Sequence, residues 1–225
     1  MKYIIQAIQE FFKFFIIYWP GSSGRKIRYF YYKNKFKACG KKFYIDEGVI
    51  IDSPKSISLG ENIWIDRYCV LIAGRAIVEN SKRLVERKLN PNFKGKEGEL
   101  IIKSNVHIAP FCVVQAHAGV EIGENCGLAS GTKVYSMSHH YKNPKNDMDI
   151  FEYKFTPLVN EKEQSLILGP IVISDNCAIG LNSVILPGVT VKTGTWVGVL
   201  SYLYKDTEEK AIYGVKPATF LKKKF

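Results

Sequence analysis

Histidines are the residues of this 225-residue chain best suited to chemistry near neutral pH, and three of the four are candidates for one site. They are His117, His139 and the adjacent His140. The pair interrupts the stretch VYSMSHHYKN, where a hydrophobic pattern that recurs every six residues ends at Val134. Because an imidazole is largely neutral at pH 7, it can take up a proton, bind a metal or orient a neighbouring group.

Two kinds of chemistry compete for these histidines. General base catalysis needs one imidazole, a group that holds it and an acceptor whose proton it removes. A zinc site needs three or four ligands around one ion, and adjacent His139 and His140 do not easily point at the same atom. A nucleophilic serine or cysteine would have to be exposed beside the base. We therefore expect a general base, with a metal site as the alternative.

A six-residue repeat must position these side chains. Over most of the chain after residue 44, a bulky aliphatic residue recurs at every sixth position, and a small residue often follows four positions later. This period fits neither a helix nor an ordinary strand, and it is typical of a solenoid in which three strands complete one coil. The bulky positions are Ile45, Ile51, Ile57, Leu59, Ile65, Leu71, Ile102, Ile108, Val114, Ile122, Leu128, Val134, Ile173, Ile179, Ile185, Val191 and Val197.

Departures from the period indicate where loops leave the solenoid. Grouped by threes, the pattern slips by two residues after Ile57 and Val114 and gives way to long loops after Leu71 and Val134. Each departure then follows a third hexad, so we expect all of them to leave from one corner. Loops that collect on one edge of a repeat array usually build its binding face.

The same grouping brings the histidines together. Val114 and Val134 become equivalent residues of successive coils, about 4.8 Å apart at strand spacing. The segments that follow them should run side by side. We therefore expect His117 to share one site with His139 and His140.

The five cysteines are expected to be structural. A buried thiol in apolar surroundings is a poor nucleophile, and four of the five fall on the small, inward position of the repeat. These four are Cys69, Cys112, Cys126 and Cys177. The chain has no CxxC spacing and no secretory signal, and an odd number of cysteines argues against a disulfide framework, so the cytosol is the expected compartment.

The repeat resembles that of the hexapeptide-repeat acyltransferase superfamily. This resemblance implies an all-β fold, a left-handed parallel β-helix, here with an N-terminal amphipathic helix and loop excursions at one corner. The stretch IGENCGLASGTKVYSMSH is similar to the part of maltose and galactoside acetyltransferases in which three hexads end at the catalytic histidine. His139 falls on that position, and His117 would assist from the adjacent coil. Carbonic anhydrases with this fold use three histidines, which keeps a zinc lyase as a rival.

The C-terminal stretches VGVLSYLYKD and IYGVKPATFLKK resemble the family's coenzyme A-binding region. The resemblance implies that coenzyme A contacts Gly180, Leu181, Gly198, Val199, Tyr204, Lys205, Lys216 and Lys222. The residues expected to bind the acceptor are Gln115, Tyr135, His140 and Tyr141. Family members are trimers with sites between subunits, so we expect a homotrimer in which loops 75–101 and 139–172 bear on a neighbour.

The first 42 residues carry a separate signal. Of the net charge of +11, much lies in an arm without Asp or Glu between Phe11 and Ile45. An apolar helix over residues 3–19 is predicted to bear one narrow polar stripe, formed by Gln6, Gln9, Glu10 and Lys13. A helix of this kind beside a basic arm is typical of attachment to an anionic membrane surface, and also of a cap over the first coil. The aromatic residues of the arm are expected to pack rather than to bind nucleic acid.

The predicted organisation is an amphipathic helix and basic arm over 1–42, a catalytic β-helix over 43–204 and a coenzyme A-binding tail over 205–225. The stretch ACGKKFYIDEGVIID also resembles O-acetyltransferases of bacterial surface-polysaccharide gene clusters. We therefore predict an acetyl-CoA-dependent O-acetyltransferase that acts on a sugar hydroxyl in surface polysaccharide biosynthesis, without a metal, in the cytoplasm or at the inner membrane surface. The alternatives are a sugar N-acetyltransferase, a zinc carbonic anhydrase-like lyase and a non-catalytic basic scaffold.

Overall fold

The computed structural model describes residues 2–77, 80–214 and 219–223. Two α-helices open the chain, α1 over Lys2–Tyr18 and α2 over Gly21–Tyr32. Short 3-10 turns occur at Pro54–Ser56 and Glu161–Glu163. Within the described ranges, no helix is both long enough and apolar enough to cross a bilayer.

The rest of the described chain is built from short strands. The first twelve are β1 (Ala38–Cys39), β2 (Phe43–Ile45), β3 (Ile50–Asp52), β4 (Ile57–Leu59), β5 (Ile63–Ile65), β6 (Val70–Ile72), β7 (Leu84–Arg87), β8 (Leu100–Ile102), β9 (His107–Ile108), β10 (Val113–Gln115), β11 (Val120–Ile122) and β12 (Gly127–Leu128). The others are β13 (Lys133–Tyr135), β14 (Met137–His140), β15 (Ser165–Leu168), β16 (Ile171–Ile173), β17 (Ala178–Ile179), β18 (Val184–Ile185), β19 (Thr190–Val191), β20 (Trp196–Val197), β21 (Tyr202–Leu203), β22 (Ala211–Gly214) and β23 (Thr219–Lys223).

Successive coils stack their strands into three sheets, and each complete coil adds one strand to each sheet. Sheet 1 has the order β1-β4-β8-β11-β16-β19, and sheet 3 has the order β3-β6-β10-β13-β18-β21. Sheet 2 has the order β2-β5-β9-β12-β17-β20-β22-β23, in which the last pair alone is antiparallel. The predicted basic arm thus contains β1, and the predicted tail contains β22 and β23.

The bulky residues that recur at every sixth position form the buried side of this solenoid. All seventeen bulky positions of the repeat are at most 6% exposed, which confirms the predicted core. The inward small positions are buried as well, including four cysteine thiols, and all five cysteines are free. A hydrogen bond with Cys112 and burial raise the pKa of the Cys69 thiol, as expected for a packing residue rather than a nucleophile.

Asparagines close the corner between sheets 1 and 2. Asn62, Asn105, Asn125 and Asn176 each adopt a left-handed backbone conformation, with φ between 56° and 60°. Asparagine tolerates this conformation better than most residues. Their side-chain amides bond in a ladder along the solenoid, with Nδ2 to Oδ1 distances of 3.0 to 3.2 Å. The turn residues between hexads therefore hold successive coils in register.

One part of the predicted grouping is wrong. Ile57 and Leu59 do not end one coil and begin another, because both lie in one strand of sheet 1, β4, which pairs with β8. The sheet 3 strand of that coil is β3, and the chain leaves it through the turn at Pro54–Ser56. The first coil is therefore out of phase with the grouping by threes. The corner itself is retained, since the departures after Leu71, Val114 and Val134 all follow strands of sheet 3.

The two long excursions from this corner pair with each other. Strand β14 runs antiparallel to β15, and β15 runs parallel to β7, so His139 lies opposite Leu166, and Leu166 opposite Val85. A small second core underlies this corner sheet, formed by Ile77, Ala118, Leu166 and Leu168. A separate core fixes the excursions, because apolar side chains on both loops are removed from water together.

The helices α1 and α2 have different roles at the N-terminal end. Tyr32 at the end of α2 and the following Phe36 are buried in the main core against Phe43 of β2. Thus α2 and the segment after it cover the open first coil. Arg25 of α2 also forms an ion pair with the buried carboxylate of Asp46, which accepts a further bond from Trp64.

Arg28 of α2 holds α1 to the body. Its side chain is fully buried, and Nη1 donates to the carbonyl oxygens of Ile16, Ile17 and Trp19 at 2.8 to 3.2 Å. Its Nε donates to the carbonyl of Ile45 in β2 at 2.7 Å. The last carbonyls of a helix have no partner within the helix, so this guanidinium caps α1 and ties it to the first coil.

Replacing Arg28 with Met should lower the free energy of unfolding by about 1–3 kcal/mol, because buried carbonyls lose their donors. Urea unfolding measures this, and limited proteolysis should cut the variant faster between α1 and α2. Lys26→Met is the matched control on the exposed side of the same helix and should unfold like the wild type. A change of less than about 0.5 kcal/mol in Arg28→Met would show that Arg28 does not anchor α1.

Candidate active site

The outer face of sheet 2 carries a groove of about 400 Å³. Residues that precede the buried position of each strand point outward and form a column along the sheet. In the groove this column reads His107, Gly127, Ala178 and Trp196. Two small residues thus lie between two large ring systems. The wall along the corner with sheet 3 is formed by Ala109, Ala129, Ser130, Gly180 and Leu181.

Two positions of the groove are occupied by glycine for different physical reasons. A Cβ atom added to Gly127 would meet nothing within 4 Å, so this glycine leaves space in the groove and relieves no clash. A Cβ atom added to Gly180 would lie 2.6 Å from the backbone carbon of Gly198 in the next coil. Gly180 is therefore required for the close approach of two coils. Gly127 is the residue that opens the groove.

The residues expected to contact coenzyme A are distributed over two faces. Gly180 and Leu181 line the groove, and Gly198 and Val199 occupy the equivalent turn of the next coil. Lys222 of β23 pairs with Ile212, which pairs with Trp196, so it lies on sheet 2 beyond the groove.

Two further predicted residues, Tyr204 and Lys205, do not line this groove in a single chain. Tyr204 and Lys205 follow the last strand of sheet 3, with the Lys205 Nζ 5.4 Å from the centre of the Tyr204 ring. Lys216 lies outside the described residues. The groove thus gathers part of the expected set, and sheet 3 carries another part.

His107 is a site residue that the sequence analysis did not identify. Its Nε2 lies 3.4 Å from Oδ2 of Asp66, and its ring packs 5.2 Å from that of Trp64. Half of the side chain remains exposed to the groove. The outward column of the second hexads would have revealed it, since His107 directly precedes the buried Ile108 just as Gly127 precedes Leu128.

At the corner after sheet 3, His117 is held by the main chain. Its Nδ1 lies 2.9 Å from the carbonyl oxygen of Gly74 at the start of the first long excursion. Because a carbonyl only accepts hydrogen bonds, Nδ1 carries the proton in the neutral ring and Nε2 is left as the basic nitrogen. His117 is therefore oriented by the adjacent coil.

His139 lies in β14, inside the corner sheet. Its ring is half-buried and packs 5.1 Å from that of Phe155, and Nδ1 is buried without a hydrogen-bond partner among the described residues. Burial disfavours the charged imidazolium, and the positive charge of Arg83 disfavours it further, so the pKa of His139 is lowered from its ordinary value. His139 is thus neutral at pH 7 and able to accept a proton.

The residues predicted to bind the acceptor substrate have different positions relative to these histidines. Gln115 is buried and its Oε1 accepts from the backbone N–H of Met137 at 3.0 Å, so it positions the start of β14. Tyr135 lies opposite Gln115 in sheet 3. His140 turns to its own loop, where Nδ1 donates to the Lys142 carbonyl at 2.9 Å and the ring stacks on Tyr141.

The groove and the histidine corner lie at opposite edges of sheet 3. The groove wall precedes the sheet 3 strands along the chain, and the histidines follow them. The outer face of sheet 3 between them exposes apolar side chains, including Ile50 and Tyr202. Across the described ranges, no three His, Cys, Asp or Glu side chains converge as a metal-binding group.

Comparison with known proteins agrees with this architecture. The chain is 25% identical to a dTDP-4-amino-4,6-dideoxy-D-glucose acyltransferase of Escherichia coli over 77% of its length and 74% of that protein. It is 32% identical to a chloramphenicol acetyltransferase of Agrobacterium fabrum over 46% of its length and 51% of that protein. The chain is thus similar to acyltransferases over much of its length. No protein-family model matches it.

Solved structures show the same fold as this hexapeptide-repeat protein, a left-handed parallel β-helix. AntD, an N-acyltransferase from Bacillus cereus in complex with dTDP and 3-hydroxybutyryl-CoA, gives a TM-score of 0.68 at 22% identity and covers 88% of each chain. A variant of AntD in complex with dTDP-4-amino-4,6-dideoxyglucose and coenzyme A gives 0.67 at 23% identity, over 88% of this chain and 89% of that one. The predicted fold class is confirmed.

The surroundings of His139 predict that its imidazole titrates below the ordinary pKa of 6.5. Replacing Arg83 with Met should raise this midpoint partway, because the positive charge is removed while burial remains. Titration of the histidine ring signals by NMR measures both, with His139→Gln used to assign the signal. Arg87→Met, a matched change at the other end of β7, should leave the midpoint unchanged. A wild-type midpoint at or above 6.5 would contradict the described environment.

Proposed function

We propose that this hexapeptide-repeat protein is an acyltransferase, which transfers an acyl group from a coenzyme A thioester to a sugar. The observation that carries the proposal is the slot at Gly127 and Ala178, which lies between two ring systems and is lined by Gly180 and Leu181. A slender, mainly apolar chain such as the pantetheine arm of coenzyme A matches a narrow slot with small side chains. Coenzyme A thioesters are also bound by AntD. Acetyl-CoA remains our proposed donor.

The proposed step is direct transfer between two bound substrates. The acceptor oxygen or nitrogen attacks the thioester carbonyl carbon while the base removes its proton. The carbon–sulfur bond then breaks, the acyl group stays on the acceptor, and the thiolate leaves and takes up a proton as free coenzyme A. No acyl-enzyme is needed, since the cysteine thiols of the repeat are buried.

We assign the general base to His139 and an orienting role to His117. The lowered pKa of His139 keeps its ring neutral at pH 7, which is the state that accepts a proton. Its Nδ1 is buried without a partner among the described residues, so the acceptor would have to approach the other ring nitrogen, Nε2. His117, whose Nδ1 is held by Gly74, would contact the acceptor or hold the base.

We further propose a homotrimer whose catalytic sites lie between subunits. In one chain the groove and His139 occupy opposite edges of sheet 3, so a complete site requires a groove from one copy and a corner from the next. The apolar outer face of sheet 3 would be buried in this arrangement, with Tyr204 and Lys205 near the donor of a neighbour. A closed cyclic assembly satisfies every such contact with one kind of interface.

The acceptor group has two candidates. A sugar hydroxyl in surface polysaccharide biosynthesis is the candidate derived from the chain's own resemblance, with the cytoplasm as the compartment. A sugar amine is favoured by a specific observation, because the similar Escherichia coli protein and AntD are named for acylation of amino sugars or for N-acyl transfer. The same base serves either nucleophile. A neutral amine is the stronger nucleophile, so it depends less on the base.

His139→Ala should fold and bind acetyl-CoA but lose about 10²- to 10⁴-fold in turnover if the acceptor is a hydroxyl, and less if it is an amine. Steady-state release of free thiol, with hydroxyl and amino sugars in parallel, measures this loss. His140→Ala is the matched control and should lose less, as should His117→Ala. If His117→Ala is inactive while His139→Ala retains activity, the base is His117, and if no sugar is acylated the proposed function is wrong.

Two inactive variants should restore activity when they assemble together. Gly127→Leu should fold, since a side chain there meets open space, but should fill the slot and lose acetyl-CoA turnover. Gly127→Ala is the matched control with nearly wild-type activity. Co-expressed with His139→Ala, Gly127→Leu should recover about a quarter of wild-type turnover, because roughly three in four trimers are mixed and about one site in three of each is intact. No recovery in verified mixed trimers would place the groove and base of each site in one chain.

A further inference from the structure

Helix α1 is exposed on both of its sides over residues 3–15. Its polar stripe borders an open groove, which Gln6, Gln9 and Lys13 line together with Tyr31 of α2. The opposite side is apolar and exposed, and the rings of Phe11 and Phe15 contact each other at 4.9 Å. On this side Ile4, Ile8, Phe11 and Phe15 are between 41% and 65% exposed. An apolar patch of this kind marks an interaction surface.

Closing the solenoid does not account for α1. The open first coil is covered by Tyr32 and Phe36, which lie in the main core with Phe43. Among the side chains of α1 whose burial is described, those of Ile16 and Ile17 are partly buried, near the end that Arg28 holds. The helix is therefore anchored at its C-terminal end and presents its apolar side away from the body. Of the two roles expected for the N-terminal region, the cap belongs to α2.

A cationic groove is formed by residues of α2, of β2 and of the segment that leads into β2. It has a volume of about 580 Å³, and four basic side chains line it, namely Arg25, Lys26, Lys41 and Lys42. Its aromatic wall includes Tyr29 and Phe30, the second of which is 64% exposed. Lys26, Lys41 and Lys42 are exposed and in no ion pair among the described residues. Positive charge and exposed rings together match the phosphates and the interfacial region of a membrane.

We propose that α1 and this cationic groove form a docking surface for an anionic lipid bilayer. The apolar side of α1 enters the interface, and the lysines of the groove take up lipid phosphates, so that apolar insertion and electrostatic attraction act together. Charge favours a membrane over a second copy of the chain. Between Phe11 and Ile45 there is no acidic residue, so two such regions brought together would repel each other, whereas an anionic surface attracts them.

The proposal is tested by co-sedimentation of the full chain with vesicles of phosphatidylcholine alone and with added phosphatidylglycerol. We expect binding to the anionic vesicles at low salt, weaker binding at high salt and little binding to phosphatidylcholine alone. The double variant Phe11→Ser with Phe15→Ser should lose most of this binding. Its matched control, Ile150→Ser with Leu158→Ser, removes two exposed apolar side chains elsewhere and should bind like the wild type.

A second pair of variants tests the electrostatic part. Lys26→Glu with Lys41→Glu should weaken binding by about tenfold or more, while Lys55→Glu with Lys192→Glu makes the same change of net charge away from the groove and should have a smaller effect. Equal losses in both pairs would show a general charge effect and overturn the groove. Absence of binding at low salt would overturn the docking surface. Self-association beyond the proposed homotrimer that is lost in the phenylalanine variant would instead identify a second copy as the partner of α1.

Discussion

Hydrogen bonds between successive coils are the constraint on which the rest of the molecule depends. They place equivalent residues one strand spacing apart, so each outward position becomes a column that continues along the solenoid. One such column therefore forms a single surface from residues that are far apart in the chain. It includes Trp64, His107, Gly127, Ala178 and Trp196. A groove arises wherever adjacent coils contribute small side chains to such a column. Inside the solenoid, the same spacing requires buried aliphatic residues and small residues at fixed positions.

Small residues in this fold therefore have two distinct structural roles. Gly180 has no side chain because the backbone of the next coil leaves no room for one. Gly127 has no side chain although room is available, and the volume it leaves belongs to the groove. The distinction separates residues that build the coil from residues that shape a ligand site. It also explains why a pattern of glycines along the repeat cannot be equated with coenzyme contacts.

The excursions and the N-terminal helices add what the coils cannot provide. A regular coil exposes its outward side chains to solvent, whereas the corner sheet of β7, β14 and β15 half-buries His139 and brings Arg83 near it. At the other end, one buried guanidinium caps α1 and joins it to the first coil. In both places an element outside the repeat creates an electrostatic environment that a surface strand lacks. The proposed acceptor chemistry and the proposed membrane contact both depend on these additions.

The six-residue period was enough to predict the solenoid, its buried columns, the inward cysteines and the corner from which the loops depart, because inward size is a local property of each hexad. It misplaced the first coil, since Ile57 and Leu59 fit the period in either phase and only pairing of β4 with β8 distinguishes them. The sequence analysis did not identify His107, because an outward residue becomes part of a site only through its neighbours in other coils. The pairing of the excursions, the burial of Nδ1 of His139 and the division of roles between α1 and α2 also depend on contacts between distant segments. The six-residue period, a local property of the sequence, determines which side chains point inward. The stacking of distant coils determines which residues the outward side chains contact.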